Sequence, residues 1–206
     1  ESLFVTQPYS MSFTTAPLLR QESLVLVQLY DELSNWEKVR ERAVSENRLQ
    51  LRTVNSARRI TSELISRLKW LSPNELALLR AGAPQEQGYL LWLAVCRRYR
   101  FIYDFAVEIV REKYLRLDLT LETTDYDIYF EGKAEWHPEV AQVAAATRRK
   151  GRQFVLRMLR EADLLSRRDQ ITPALLTPAL VDAISATNPE DLAIFPAPDA
   201  LLGGAQ

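Results

Sequence analysis

Apolar positions in this chain recur mostly every three to four residues, the period of an amphipathic helix. Leu19, Leu26, Tyr30 and Leu33, with Ser23 between them, form one such stripe, although Leu24 to Val27 alone would also suit a buried strand. A second helix is predicted from Asn35, with Trp36, Val39 and Ala43 inward. A third carries Ala57, Thr61, Leu64, Leu68 and Leu71 on one face. Ser72-Pro73-Asn74-Glu75 then combines a serine cap, a proline in the first turn and a glutamate at the third position, a capping box, with Gly82 as the exit. Leu90 to Arg98 and Phe101 to Leu115 read as one long or two short aromatic-rich helices.

The period then changes. Leu115, Leu117, Leu119 and Leu121 alternate with Arg116, Asp118, Thr120 and Glu122, the pattern of a half-buried strand. Thr124 is placed to cap a helix through Glu135, and Pro138 to start another. A helix from Thr147 would bury Gly151, Val155, Met158 and Ala162. Two short extended pieces around Ser166-Arg167-Arg168 follow, then a helix from Thr177-Pro178. The expected fold is all-α with two small helical subdomains. Residues 10–115 form a helix-turn-helix-like bundle; residues 116–186 form a winged-helix-like part with a short β-hairpin. Residues 187–206, rich in proline, alanine and glycine, are a flexible or docked tail.

Composition adds little until it is read locally. The 206 residues are 47% hydrophobic and 26% charged, with a net charge of −1, so the molecule as a whole is no basic coat for nucleic acid. Lys38 to Lys69, however, holds nine basic against three acidic residues, net +6. Arg148 to Arg168 holds eight against two, also +6, and Asp104 to Glu139 holds four against ten, net −6. Local fields decide what a surface attracts. Both basic stretches put adjacent arginines at a predicted helix start, Arg58-Arg59 and Arg148-Arg149, where the backbone is already partly positive. A phosphate lying across these ends would compensate. The candidate nucleic-acid contacts are Arg48 and Arg52 in the inter-helix turn, Arg58 and Arg59, then Arg148, Arg149, Lys150 and Arg152, and Arg167 and Arg168 in the hairpin. Aligning Arg58-Arg59 with Arg148-Arg149 also aligns Arg67 with Arg157, a possible pseudo-repeat.

Little in the sequence supports catalysis. His137 is the sole histidine, placed to cap a helix or pack on Trp136, and Cys96 is the sole cysteine, in an apolar helix. One of each cannot close a zinc site, and neither a phosphate loop nor a dinucleotide glycine motif is present. Asp127, Glu131 and Glu135 share one helical face (with Asp125 near its start) and could be tested as a magnesium site, but acids near a helix start more simply solvate a face. Trp36, Trp70, Trp92 and Trp136 sit among apolar residues and read as core. No metal, cofactor or small-molecule substrate is expected. A single cysteine and the lack of a long apolar run suit the cytoplasm.

The chain resembles the BrxA family of bacterial BREX phage-defence systems from about Ser10 to Ala183. The likeness rests on Trp36-Glu37-Lys38-Val39, Ser56 to Leu68, Ala94-Val95-Cys96-Arg97-Arg98-Tyr99 and Arg111-Glu112-Lys113-Tyr114 with the following Leu-x-Leu-Asp run. It continues through Asp125-Tyr126 to Phe130 and Arg157 to Ala162 with Leu164-Leu165. The resemblance implies an all-helical protein, likened to the RNA-binding NusB fold, that binds double-stranded DNA without enzymatic activity. It also implies work beside a methyltransferase, a phosphatase-like protein and an ATPase. Family members have been labelled inner-membrane proteins, which this sequence does not support. Asp163 departs from the family pattern, which has glycine there to end the helix. Two other readings stay open: a protein-interaction adaptor whose arginines meet an acidic partner, and an RNA binder.

Overall fold

The computed structural model describes residues 8–198. A 3-10 turn (Phe13–Thr15) leads into α1 (Arg20–Leu33), α2 (Trp36–Ser45), α3 (Val54–Leu68), α4 (Pro73–Ala81) and α5 (Pro84–Arg98). Next come α6 (Arg100–Phe105), a π-helical segment (Ala106–Arg111) and α7 (Glu112–Leu115), then α8 (Thr123–Ala134), α9 (Pro138–Ala141) and α10 (Ala145–Glu161). The described chain closes with α11 (Pro178–Thr187) and a 3-10 segment (Pro189–Ile194). Several starts follow from local chemistry. The Asn35 carboxamide accepts from the Glu37 and Lys38 N–H groups, and the Ser72–Glu75 capping box forms as expected. Further on, the Asp125 carboxylate takes the Glu122 N–H at 2.7 Å, so α8 is capped ahead of Thr124 rather than by it.

The fold is arranged around α5. Every residue from Gln87 to Cys96 is buried, and α1, α3, α4, α6 and α10 all pack against it. A helix buried all round needs apolar side chains on every face, and each large one contributes roughly 1.5–3 kcal/mol. At Gly88 an added Cβ would lie 3.2 Å from the Ala162 backbone, so α5 and the end of α10 touch through the glycine. Phe195 and Ile194 are fully buried, so the chain after Asn188 is docked as far as it is described; residues 199–206 of the expected tail lie outside the described residues.

One buried charged group ties three elements together. Arg97 on α5 donates to both Glu75 oxygens, at 2.7 and 2.8 Å, to Asp191 at 2.7 Å and to the Trp70 carbonyl. Burial works against this cation, but its carboxylate hydrogen bonds outweigh that and raise its pKa. A second tie lies at Ala16–Leu18. Arg67 on α3 donates to the Ala16 and Pro17 carbonyls, and Glu161 on α10 accepts the Leu18 N–H at 2.8 Å while paired with Arg157. The two arginines aligned as a pseudo-repeat therefore serve one segment, Arg67 directly and Arg157 through Glu161.

Two expectations are corrected. The leucine alternation after Leu115 is not a strand. Leu115 ends α7, and Leu117 takes a left-handed φ of 60° with its side chain 82% exposed; only Leu119 and Leu121 turn inward. The Leu117 N–H reaches the Tyr114 carbonyl and the Asp118 N–H the Lys113 carbonyl, which is a Schellman helix ending. The winged-helix hairpin is also absent. Thr120 bridges Gln170 and Leu165 bridges Ile171, but among the described residues these are isolated bridges, and no strand forms. The Ser166–Gln170 turn is too short to build a wing, and its hydrogen bonds close on Ser166.

Candidate nucleic-acid interface

The two basic helices begin a residue or two earlier than the sequence implied, so the basic side chains stand further along them. With Thr53 as cap, Arg58 and Arg59 are the fifth and sixth residues of α3. With Ala144 as cap, Arg148, Arg149 and Lys150 are the fourth to sixth of α10. The macrodipole fades within the first turn, so the repulsion argued from helix starts is weaker than expected. Both first turns do lack an acidic residue; the Thr53 hydroxyl accepts the Ser56 N–H at 3.1 Å at the α3 start, whereas Ala144 gives α10 no side-chain cap.

The α10 group divides into an occupied and an open half. Arg148 Nε lies 3.2 Å from Asp127 Oδ1, and its Nη2 donates to Glu131 at 2.9 Å and to the Asp127 carbonyl at 3.1 Å. Arg152, four residues on, pairs with the other Asp127 oxygen. The Arg148 guanidinium also lies 4.8 Å from the Phe130 ring. Burial opposes the Arg148 charge, yet the bonds to Glu131 and Asp127 raise its pKa overall. By contrast, Arg149 and Lys150 are exposed and have no carboxylate partner among the described residues.

Gly151 faces inward: a Cβ there would come within 2.9 Å of the Tyr126 hydroxyl and 3.2 Å of the Phe13 ring. Its close approach therefore serves the core, not an external partner. Burial, then the nearby Asp127 charge, push the Tyr126 phenol above its ordinary pKa.

On the α3 side, Arg52, Arg58 and Arg59 are exposed and unpaired among the described residues, while Arg48 pairs with Glu46 at 3.2 Å. Arg58 lines a groove between α2 and α3 with Arg40, Val44 and Val54. Arg167 and Arg168 are exposed in the turn after α10, which Arg160 ties down through Asp169. They lie beyond the opposite end of α10 from Arg149, and the helix axis runs roughly 18 Å from that residue to Glu161. The cations at the start of α10 and those in the turn after it are thus separate patches.

Other candidates resolve simply. Asp127 and Glu131, weighed as magnesium ligands, are arginine partners, and Asp125 serves the α8 cap and Lys113. The paired i, i+4 spacings of Asp127/Glu131 and Arg148/Arg152 were the available signal for this cluster. Most of the acidic middle segment is likewise compensated internally, for example Glu108 by Lys133 and Asp104 by Arg100. His137 is buried against Tyr9, 4.2 Å between rings, with Nδ1 3.0 Å from Glu139; it is the N-cap residue of α9, through its backbone carbonyl rather than its ring. Cys96 is buried, which pushes its thiol pKa well up and leaves it unreactive. Trp92 is core, but Trp36 is only half-buried, stacked on Tyr30, and Trp70 and Trp136 are 52% and 80% exposed. Reading all four as core was incorrect.

Comparison with known proteins gives a consistent picture. A sequence model described as BrxA matches residues 7–188. The chain is 27% identical over 159 residues to the BREX protein BrxA of Bacillus cereus (strain H3081.97), covering 77% of this chain and 80% of that one. It is 23% identical over 178 residues to the BREX protein BrxA of Escherichia coli O9:H4 (strain HS), covering 85% and 84%. An uncharacterized protein from Magnetospirillum magneticum, known from a crystal structure, shares the fold at a TM-score of 0.77 and 19% identity, over 92% of this chain and 98% of that one.

Proposed function

The chain belongs to the BrxA family, and on that premise we propose that it is a non-catalytic, double-stranded-DNA-binding subunit of a bacterial BREX phage-defence complex. The observation that carries this reading is that seven of the ten candidate cations are exposed and have no carboxylate partner among the described residues: Arg52, Arg58 and Arg59, Arg149 and Lys150, and Arg167 and Arg168. Unpaired guanidinium and ammonium groups supply phosphate contacts that set affinity and register without reading bases. They fall on α3 and the turn before it, and on α10 and the turn after it, two helices that both pack against α5. Enzymatic chemistry has no comparable support, since the histidine, the cysteine and the clustered acids all have structural roles.

The test is fluorescence anisotropy with a labelled 25-base-pair duplex across a salt series, comparing wild type with Arg58→Glu/Arg59→Glu and Arg149→Glu/Lys150→Glu. Each phosphate contact contributes a slope of about −0.9 to log K against log[salt], so each double should flatten the plot by about 1–2. Arg148 is avoided because its loss would abandon Asp127 and Glu131. A flat wild-type plot would refute the phosphate reading, and preference for a matched RNA duplex would select RNA instead. One observation favours an additional protein partner: Ile128 on α8 and Trp136 just beyond it are 69% and 80% exposed. That face suits another protein of the system, among them the methyltransferase, phosphatase-like protein and ATPase.

A further inference from the structure

Arg148 and Arg152 stand one helical turn apart on α10 and grip a single carboxylate, Asp127, with Nε of the first on one oxygen and Nη1 of the second on the other. Two guanidiniums around one oxyanion is the arrangement proteins use for phosphate, whose two non-bridging oxygens present much the same face as a carboxylate. We infer that this pair is a phosphate seat held closed by Asp127, and that a backbone phosphate of nucleic acid takes the carboxylate's place when the α10 face engages its partner. The inference rests on the DNA-binding reading and assigns Asp127 as the residue that sets how readily that site opens.

Three features fit a seat that opens rather than a permanent structural pair. The side chains of Arg148, Arg152 and Asp127 are 24%, 23% and 29% exposed, so the cluster is reachable from solvent. Partly exposed pairs of this kind are worth little, which lets a polyanion compete with them. Arg148 also has contacts that survive departure of the carboxylate: its Nη2 keeps the Asp127 backbone carbonyl, and its guanidinium keeps the Phe130 ring. The arginine would stay aimed as the anion changes. Arg149, exposed at the next position along α10, adds charge for a second phosphate but not for a lone ion. The closed seat therefore selects for closely spaced phosphates, as a duplex presents them.

The same duplex assay at fixed salt separates this inference from the reading beneath it. Asp127→Asn should tighten binding about three- to tenfold, the release of two weak ion pairs. Glu131→Gln should act in the same direction by about two- to threefold, and Asp127→Glu, which keeps the carboxylate, should bind like wild type. Asp182→Asn, the same charge change at an exposed position on α11, should shift affinity less than twofold. Adding Arg152→Gln should abolish the gain of Asp127→Asn. Binding by Asp127→Asn that is unchanged, weaker, or tightened no more than by Asp182→Asn would overturn the seat while leaving DNA binding intact. Absence of duplex binding by wild type and every variant down to 25 mM salt would remove both together.

Discussion

Replacing Arg97 by methionine should be among the most damaging single changes to this fold that spare the basic surface. The arginine is 8% exposed and its partners Glu75 and Asp191 are 0% and 5% exposed, so the substitution abandons two buried carboxylates. Removing one partner of a buried ion pair costs about 3–5 kcal/mol, far more than the pair contributes against an apolar substitute. Against a total stability of about 5–15 kcal/mol, that is a large share. At about 2–4 °C per kcal/mol for a chain of this size, the midpoint should fall by roughly 6–20 °C. Urea unfolding followed by tryptophan fluorescence measures the loss. The double variant Arg97→Met/Glu75→Gln is the sharper check. Glutamine still caps the Ser72 N–H but removes one abandoned charge, so the double should recover about 1–2 kcal/mol. A single variant that loses under 1 kcal/mol, or a double no more stable than the single, would refute the account of a charge-locked junction.

Other outcomes follow from particular contacts. Asp163 ends α10 at φ 58°, and Asp163→Gly should stabilise by about 0.5–1 kcal/mol in thermal melts, because glycine relieves a left-handed penalty of about 1–2 kcal/mol at some entropic cost; destabilisation would contradict this. The buried Tyr126 hydroxyl has no hydrogen-bond partner among the described residues, so Tyr126→Phe should unfold within about 0.5 kcal/mol of wild type or later. The Tyr9 N–H donates to Glu139 at 2.7 Å, and that bond, with others from the backbone and His137, holds the Glu139 carboxyl below its ordinary value of 4.5. A lowered folded pKa stabilises above 4.5 and is lost as pH falls through the lower folded value. Wild type should therefore outlast Glu139→Gln at pH 6, and the difference should shrink steadily as pH is lowered below 4.5; a difference that does not change with pH would count against the tether.

The parts of the fold that were legible are those set by side-chain period and local caps. The faces of α1, α2 and α3 and the α4 capping box depend on residues a few positions apart, so a one-dimensional reading captures them. The two misreadings have different causes. α2, α7 and α10 end in Schellman turns at Asn47, Leu117 and Asp163, none of them glycine. Without the residue that normally marks a left-handed ending, the leucine run after α7 reads as a strand. The wing was inferred from charged residues around a turn, but too few backbone groups pair there to make a ladder.

The candidate site divides along the same line. Which residues are basic, and that they gather in two stretches, is written in the chain and needs no coordinates. Which of them are available depends on long-range partners that no local pattern specifies. Arg67 is 51 residues from Ala16, Arg148 is 21 from Asp127, and Arg97 is 94 from Asp191, yet each pair is in hydrogen-bond contact. A charge is counted by its identity but acts through its neighbours, and those neighbours are assigned only when α3, α5, α8 and α10 pack. Helix content and charge segregation were therefore the sequence's to determine, and the split between structural and open cations was left to the tertiary fold.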